Sequence, residues 1–219
     1  MTIDAWLYLH GFASSPGSTK AKAFVQWGKE RGVDVRALDL RAPSLEHLRF
    51  SAILERVKAA IGPDPRTRVA LVGSSLGGLT AARVAEADRR VAAVFAMAPA
   101  FRLAERWRMR LGEEAWARWR ESGALAIDDW STGGKTTVDF GFVEELGRLD
   151  VGFPDVQVPV RIVHGTKDEI VDIGLSRAWS EGRPNVQLVE VDDGHELTAS
   201  LPRVLAKASD FFRPLLPAP

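Results

Sequence analysis

Leu71–Leu79 reads LVGSSLGGL. The apolar run RVALVG (Arg68–Gly73) leads into it, and the helix-forming stretch LGGLTAARVAEAD leads out. Gly73-Ser74-Ser75-Leu76-Gly77 therefore fits G-x-S-x-G with a strand before and a helix after, the setting in which this pattern carries chemistry. A serine on such a turn is strained, with its hydroxyl lifted above the sheet edge. Side chains two positions away on either side would strike neighbouring backbone, and Gly73 and Gly77 remove those collisions. The helix beginning at Leu76 aims unpaired N–H groups at the same point, where a developing oxyanion would be held. Ser75 is the expected nucleophile, and Ser74, at the variable position, points elsewhere. The same residues would also suit a glycine-rich loop with serine caps, so the assignment turns on whether a base and an acid can reach Ser75.

Outward from this stretch, apolar runs of strand length alternate with amphipathic stretches of helix length. AWLYLH (Ala5–His10), VDVRAL (Val33–Leu38), RVALVG, VAAVFAM (Val91–Met97), VPVRIVH (Val158–His164) and NVQLVEV (Asn185–Val191) read as six strands. Helices are expected between them, one starting at Ser44 as N-cap, one near Ile173–Glu181 and a last one from about Glu196 to Phe212. Val/Ile/Leu-rich strands joined by helical crossovers predict an α/β fold, a parallel sheet of about six strands with helices on both faces. Ligands in such sheets bind at the carboxyl ends of the strands. Between Met97 and Val158 the chain is too long for one crossover. FRLAERWRMRL and EEAWARWRESG read as helices, AIDDW and TTVDF as a hairpin around STGGK, and FVEELGRL as a short helix. The expected organisation is a core formed by 1–99 and 151–219 with a cap, 100–150, inserted into it. The cap holds four of the seven tryptophans, Trp107, Trp116, Trp119 and Trp130.

The 219 residues suit one domain with a substantial core. Lysine plus arginine and aspartate plus glutamate number 29 each, so no basic excess points to nucleic acid. Without a cysteine there is no disulfide, thiolate metal site or cysteine nucleophile, which fits a cytoplasmic setting. No apolar run approaches the roughly 20 residues of a membrane span, and the N-terminus has no secretory-signal pattern.

A serine hydroxyl needs an adjacent base. Of the four histidines, His47 sits in SLEHLRF and reads as a helix surface residue. His10 and His164 end strands before glycines, positions that organise loops. His195, in VEVDDGHELTAS, lies after the last strand and can bend over the sheet edge to Ser75. The acid that fixes the base is expected in HGTKDEIVD, after the strand ending at His164. Asp168 is preferred over Glu169, which points away, and over Asp172, which caps the next helix; Asp192 and Asp193 read as turn formers. The order Ser75, Asp168, His195 follows. For the oxyanion, Leu76 N–H is one donor. Phe12 N–H, in LHGFASSPGS after the first strand, is the other, whether or not the Phe12 ring also packs on the core.

With these residues in place the chain resembles the α/β-hydrolase superfamily over nearly its whole length. YLHGFASSPGSTKAKAF together with VGSSLGG is similar to the YqiA-type bacterial esterases. VGSSLGG, VPVRIVHGTKDEIV and the inserted cap are also similar to the mitochondrial acyl-protein thioesterase and acyl-glucuronide esterase branch. The resemblance implies hydrolysis of a small-molecule carboxylic ester or thioester through Ser75, His195 and Asp168, with no metal or organic cofactor. The sheet would begin at what the larger family counts as its third strand.

Other signals lead elsewhere. STGGKTT is not a phosphate loop, because Asp129 stands where G-x-x-x-x-G-K-[ST] needs glycine. No H-E-x-x-H or other metal-ligand set occurs. Six arginines between Arg102 and Arg120 read either as a solvated helix face or as groups that favour anionic acyl donors. A non-catalytic receptor of the same fold, or an acyltransferase or peptidase on the same triad, are the alternative functions. Oligomeric state is not legible.

Overall fold

The computed structural model describes residues 3–217. Six parallel strands form the sheet: β1 (Ala5–Leu9), β2 (Val35–Leu38), β3 (Val69–Ser74), β4 (Val91–Met97), β7 (Val160–Gly165) and β8 (Val186–Val191). Their order is β2-β1-β3-β4-β7-β8, and β5 (Ala124–Asp129) and β6 (Gly134–Asp139) make a separate antiparallel hairpin. The helices are α1 (Thr19–Lys29), α2 (Phe50–Ile61), α3 (Leu76–Ala87), α4 (Leu103–Ser122), α5 (Gly141–Leu149), α6 (Ile173–Ser180) and α7 (Leu201–Phe212).

The two-residue alternation of the strands builds two cores. Leu7, Leu9, Leu71, Val94 and Ile162 face one side, against buried residues of α2, α3 and α6. Trp6, Tyr8, Val72, Phe95 and Val163 face the other, where α1 and α7 bring Phe24, Trp27, Val204 and Phe212. Trp6 meets Phe212 edge-on at 5.0 Å between ring centroids. Both faces of β3 and β4 are buried throughout, which explains their unbroken apolar runs.

The register aligns the ends of the strands. Leu9 pairs with Gly73, Ser74 with Met97, Met97 with Val163, and Gly165 with Val191. The loops that follow β1, β3, β4, β7 and β8 thus leave the same edge of the sheet.

Between β4 and β7 lie α4, the hairpin and α5. Gly112, at φ 77°, breaks α4 into the two helices expected. Trp119 donates from Nε1 to the Val138 carbonyl at 3.0 Å and ties helix to hairpin. Trp116, Trp119, Val138, Phe142 and Leu146 join the same apolar cluster as Leu71 and Val94.

Two helix starts differ from expectation. α2 begins at Phe50, not at Ser44, whose hydroxyl instead closes a turn by accepting the His47 N–H at 3.2 Å. The hairpin holds that turn open, through an ion pair of Arg49 with Asp139 and the Asp139 N–H on the Glu46 carbonyl at 2.8 Å. His47 is therefore not on a helix; it is exposed, with Nδ1 3.0 Å from Asp139 Oδ2. α7 begins at Leu201 rather than near Glu196, because Asp193 Oδ2 takes the Ser200 N–H at 2.7 Å and Leu197 sits at φ 53°. Residues 194–200 remain a loop, and that loop carries His195.

Candidate active site

At the end of β3, Ser75 has φ 53° and ψ −115°, a conformation costly for any residue but glycine. Its backbone is held on both sides. The N–H donates to the Met97 carbonyl at 2.8 Å, and the carbonyl accepts from Gly78 and Ala100 at 2.9 and 3.1 Å. The flanking glycines are required by space. A Cβ on Gly73 would lie 2.2 Å from the Gly77 oxygen, and one on Gly77 would lie 2.0 Å from the Leu9 oxygen. Gly11 stands over the serine, since a Cβ there would be 3.4 Å from Ser75 Cβ. Ser74 is buried in the strand.

The loop after β7 and the loop after β8 meet above this edge. His195 Nδ1 lies 2.8 Å from Asp168 Oδ2. Asp168 Oδ1 accepts the N–H groups of Ile170 and Val171 at 2.9 and 2.7 Å. Burial alone would raise the Asp168 carboxyl. Hydrogen bonds from His164, His195 and Val171 outweigh it and hold the group well below the usual carboxylate range. Asp172 caps α6 through the Gly174 N–H at 2.8 Å, and Asp193 accepts from Gly194 and Ser200. Ser75 Oγ makes no hydrogen bond among the described residues, so the structure joins Asp168 to His195 but leaves the serine–imidazole bond unformed. Such bonds are often long before substrate arrives.

Of the two expected oxyanion donors, Leu76 follows Ser75 in the chain and Phe12 follows Gly11, which stands over it. Neither the Phe12 nor the Leu76 N–H has an acceptor among the described residues. His10 governs the first of them. Its Nε2 accepts the Leu40 N–H at 2.9 Å, so Nδ1 carries the proton and donates to the Gly11 carbonyl at 2.8 Å. Gly11 C=O and Phe12 N–H belong to one trans peptide, so fixing the carbonyl fixes the N–H in the opposite direction. Burial pushes the His10 imidazole below its ordinary value, with the Gly11 carbonyl and Asp39 opposing. The Phe12 ring packs edge-on to Trp107 at 4.8 Å and stacks with Phe142 at 5.7 Å, joining this loop to α4 and α5. The Trp130 N–H adds a tie to the Ala13 carbonyl at 3.0 Å.

Sequence reading missed two features. His164 is not only a loop organiser: it is fully buried, with Nε2 3.1 Å from the same Asp168 oxygen that His195 holds. Among the six arginines, Arg108 and Arg118 pair with Glu113 and Glu114, while Arg102 and Arg120 lie over Phe153 and Phe140. Arg106 is half-buried, and its Nη1 is buried without a partner. Burial lowers its guanidinium, and the charges of Asp168 and Asp172 oppose that shift. Two recesses, of about 530 Å³ beside Trp6 and Pro214 and about 260 Å³ between α2 and α3, are lined by none of these site residues. Among the described residues no cluster of His, Asp or Glu is arranged to hold a metal, and no helix is long and apolar enough to cross a membrane.

A family model described as uncharacterised protein family UPF0227 matches residues 5–213. The chain belongs to UPF0227. No curated protein matches it. Among solved structures, this UPF0227 member superposes on mouse alpha/beta hydrolase domain-containing protein 10 with a TM-score of 0.79 at 20% identity, covering 96% of this chain and 90% of that one. Est1E from Butyrivibrio proteoclasticus gives 0.76 at 23% identity, with 97% and 88% covered. An esterase from Pyrococcus furiosus gives 0.66 at 17%, with 99% and 84% covered. The fold is that of the α/β-hydrolases.

Proposed function

We propose that the protein is a serine hydrolase that cleaves small-molecule carboxylic esters or acyl thioesters. The observation that carries this reading is the 2.8 Å contact of His195 Nδ1 with buried Asp168, on the sheet edge where Ser75 is strained. Structural likeness to esterases of the same fold supports it.

In this reading Ser75 Oγ attacks the acyl carbon while His195 Nε2 takes its proton, and Asp168 stabilises the imidazolium through Nδ1–H. The Phe12 and Leu76 N–H groups hold the oxyanion; losing one such donor typically costs about 2.7–4 kcal/mol of barrier. His195 then returns the proton to the departing alcohol or thiol, leaving an acyl-Ser75 ester. Water, deprotonated by His195, attacks that ester, and the acid leaves with Ser75 restored. Residues 100–150 act as a cap, and Phe12, packed on Trp107 and Phe142, connects its position to the oxyanion loop.

The test is labelling of the purified protein with a fluorophosphonate, locating the modified residue by mass spectrometry. Ser75 is labelled, and Ser75→Ala and His195→Ala abolish the reaction. A folded protein that resists labelling would overturn the hydrolase reading in favour of a ligand receptor.

A further inference from the structure

Asp168 serves two histidines, and only one of them belongs to the proposed triad. His164 is the penultimate residue of β7, paired in register with Glu190 of β8. Its side chain is completely buried, as is that of Asp168. Nε2 faces two acceptors, Asp168 Oδ2 at 3.1 Å and the Val171 carbonyl at 3.0 Å, so Nε2 must carry a proton. Nδ1 faces the hydroxyl of Ser176 on α6 at 2.8 Å, and that hydroxyl is itself fully buried. Ser176 Oγ has no other partner among the described residues, so it donates to Nδ1 and fixes the neutral Nε2–H tautomer.

The result is a carboxylate with four donors. Oδ2 receives His195 and shares the His164 Nε2–H with the Val171 carbonyl; Oδ1 receives the Ile170 and Val171 N–H groups. Rotating the carboxylate would break these bonds in a place that water does not reach. The charged or titratable groups facing it are His164 from β7, His195 from the loop after β8, and Arg106 from α4.

We propose that His164, oriented by Ser176, is a positioning residue that clamps Asp168 in the rotamer serving His195 and shares the oxygen to which His195 is bonded. This rests on the triad reading above. Two consequences follow. Without the clamp the carboxylate can turn away from Nδ1, and the proton-transfer step slows while substrate binding does not. A carboxylate that turns away also stabilises the imidazolium less, so the base gives up its proton at lower pH.

The experiment compares the full chain with His164→Leu, His164→Gln and Ser176→Ala, using 4-nitrophenyl acetate. The Gln amide reaches the position of Nε2 and keeps its N–H; Leu removes it. The expected result for His164→Leu is a kcat lower by about tenfold or more with KM within about twofold, and an acid limb of kcat/KM moved to lower pH. His164→Gln recovers most of kcat. Ser176→Ala, which frees the tautomer, falls between. Circular dichroism establishes that each variant folds. A folded His164→Leu with near wild-type kcat and an unmoved acid limb overturns the proposal. So does a folded His164→Gln as impaired as Leu, since that outcome means packing alone. If His164→Leu does not fold, Ser176→Ala decides: an unchanged kcat and acid limb overturn the clamp. Failure of the triad reading itself is seen separately, as a wild-type protein that the fluorophosphonate does not label.

Discussion

Gly165→Ala tests how His195, the proposed base, is kept over the sheet edge. Gly165 ends β7, and a Cβ added there would meet the Asp193 oxygen at 2.2 Å and the Gly194 oxygen at 2.7 Å. Its φ is ordinary, so the substitution tests space and not backbone conformation. An ordinary carbon–oxygen contact is near 3.4 Å, so the 193–194 backbone must retreat by roughly 1 Å. His195 follows directly in the chain, and its 2.8 Å bond to Asp168 then stretches beyond hydrogen-bond range. The Asp193 oxygen would also loosen from the Lys167 N–H, now at 3.0 Å. Misplacing a reacting group by about 1 Å costs on the order of 10²-fold in rate, while crowding of this kind costs about 1–3 kcal/mol of stability. The assay is steady-state hydrolysis of a neutral ester beside urea unfolding. The expected outcome is a folded protein with kcat down about 10²-fold and KM little changed. Activity within about threefold of wild type, in a protein that folds, would refute the claim that this contact sets the base.

Gly147, exposed within α5, has open space around its Cα, so Gly147→Ala is expected to add about 0.5–1 kcal/mol and raise Tm by roughly 1–4 °C in calorimetry. Asp150 is buried beside Arg83 at 2.9 Å and also accepts the Arg102 N–H; Asp150→Ala leaves the guanidinium with Glu86 and the Val151 and Gly152 carbonyls but strands the Arg102 N–H, and should cost about 1–3 kcal/mol in urea titrations. Because the folded-state pKa of Asp168 is depressed, its stabilisation is present at neutral pH and lost as pH falls below the ordinary carboxylate value of about 3.9. The urea midpoint of wild type should therefore drop between about pH 5 and 3 more steeply than that of Asp168→Asn; parallel curves would contradict this. Arg106→Gln should lower the ratio of kcat/KM for a carboxylate-bearing ester to that for its neutral analogue, and an unchanged ratio would remove Arg106 from substrate recognition.

What the sequence disclosed of the fold and the site follows the range of the forces involved. The G-x-S-x-G turn is readable because its requirement lies in the chain itself: Gly73 would collide with Gly77 four residues on, and Gly77 with the adjacent strand. β3 and β4 are readable because burial on both faces leaves only apolar residues to choose from, and the edge strands β2 and β8 because apolar residues recur between exposed ones. Loop positions at the strand ends suffice to bring Asp168 and His195 together, because parallel strands deliver those loops to one edge. The helix starts at Phe50 and Leu201 were not readable, since Asp139 and Asp193, distant or across a loop, hold the preceding turns open. Gly165 carries no local signal, because the backbone it must avoid belongs to another loop. The same holds for His164: whether a histidine at a strand end faces a loop or a buried acid depends on pleat parity and on the rotamer of Asp168. Six arginines at similar spacing look alike until the packing of α4 separates the ion-paired from the unpartnered. Chain-local sterics and burial can thus be read along the sequence, whereas second partners of the site are set by where separate loops meet.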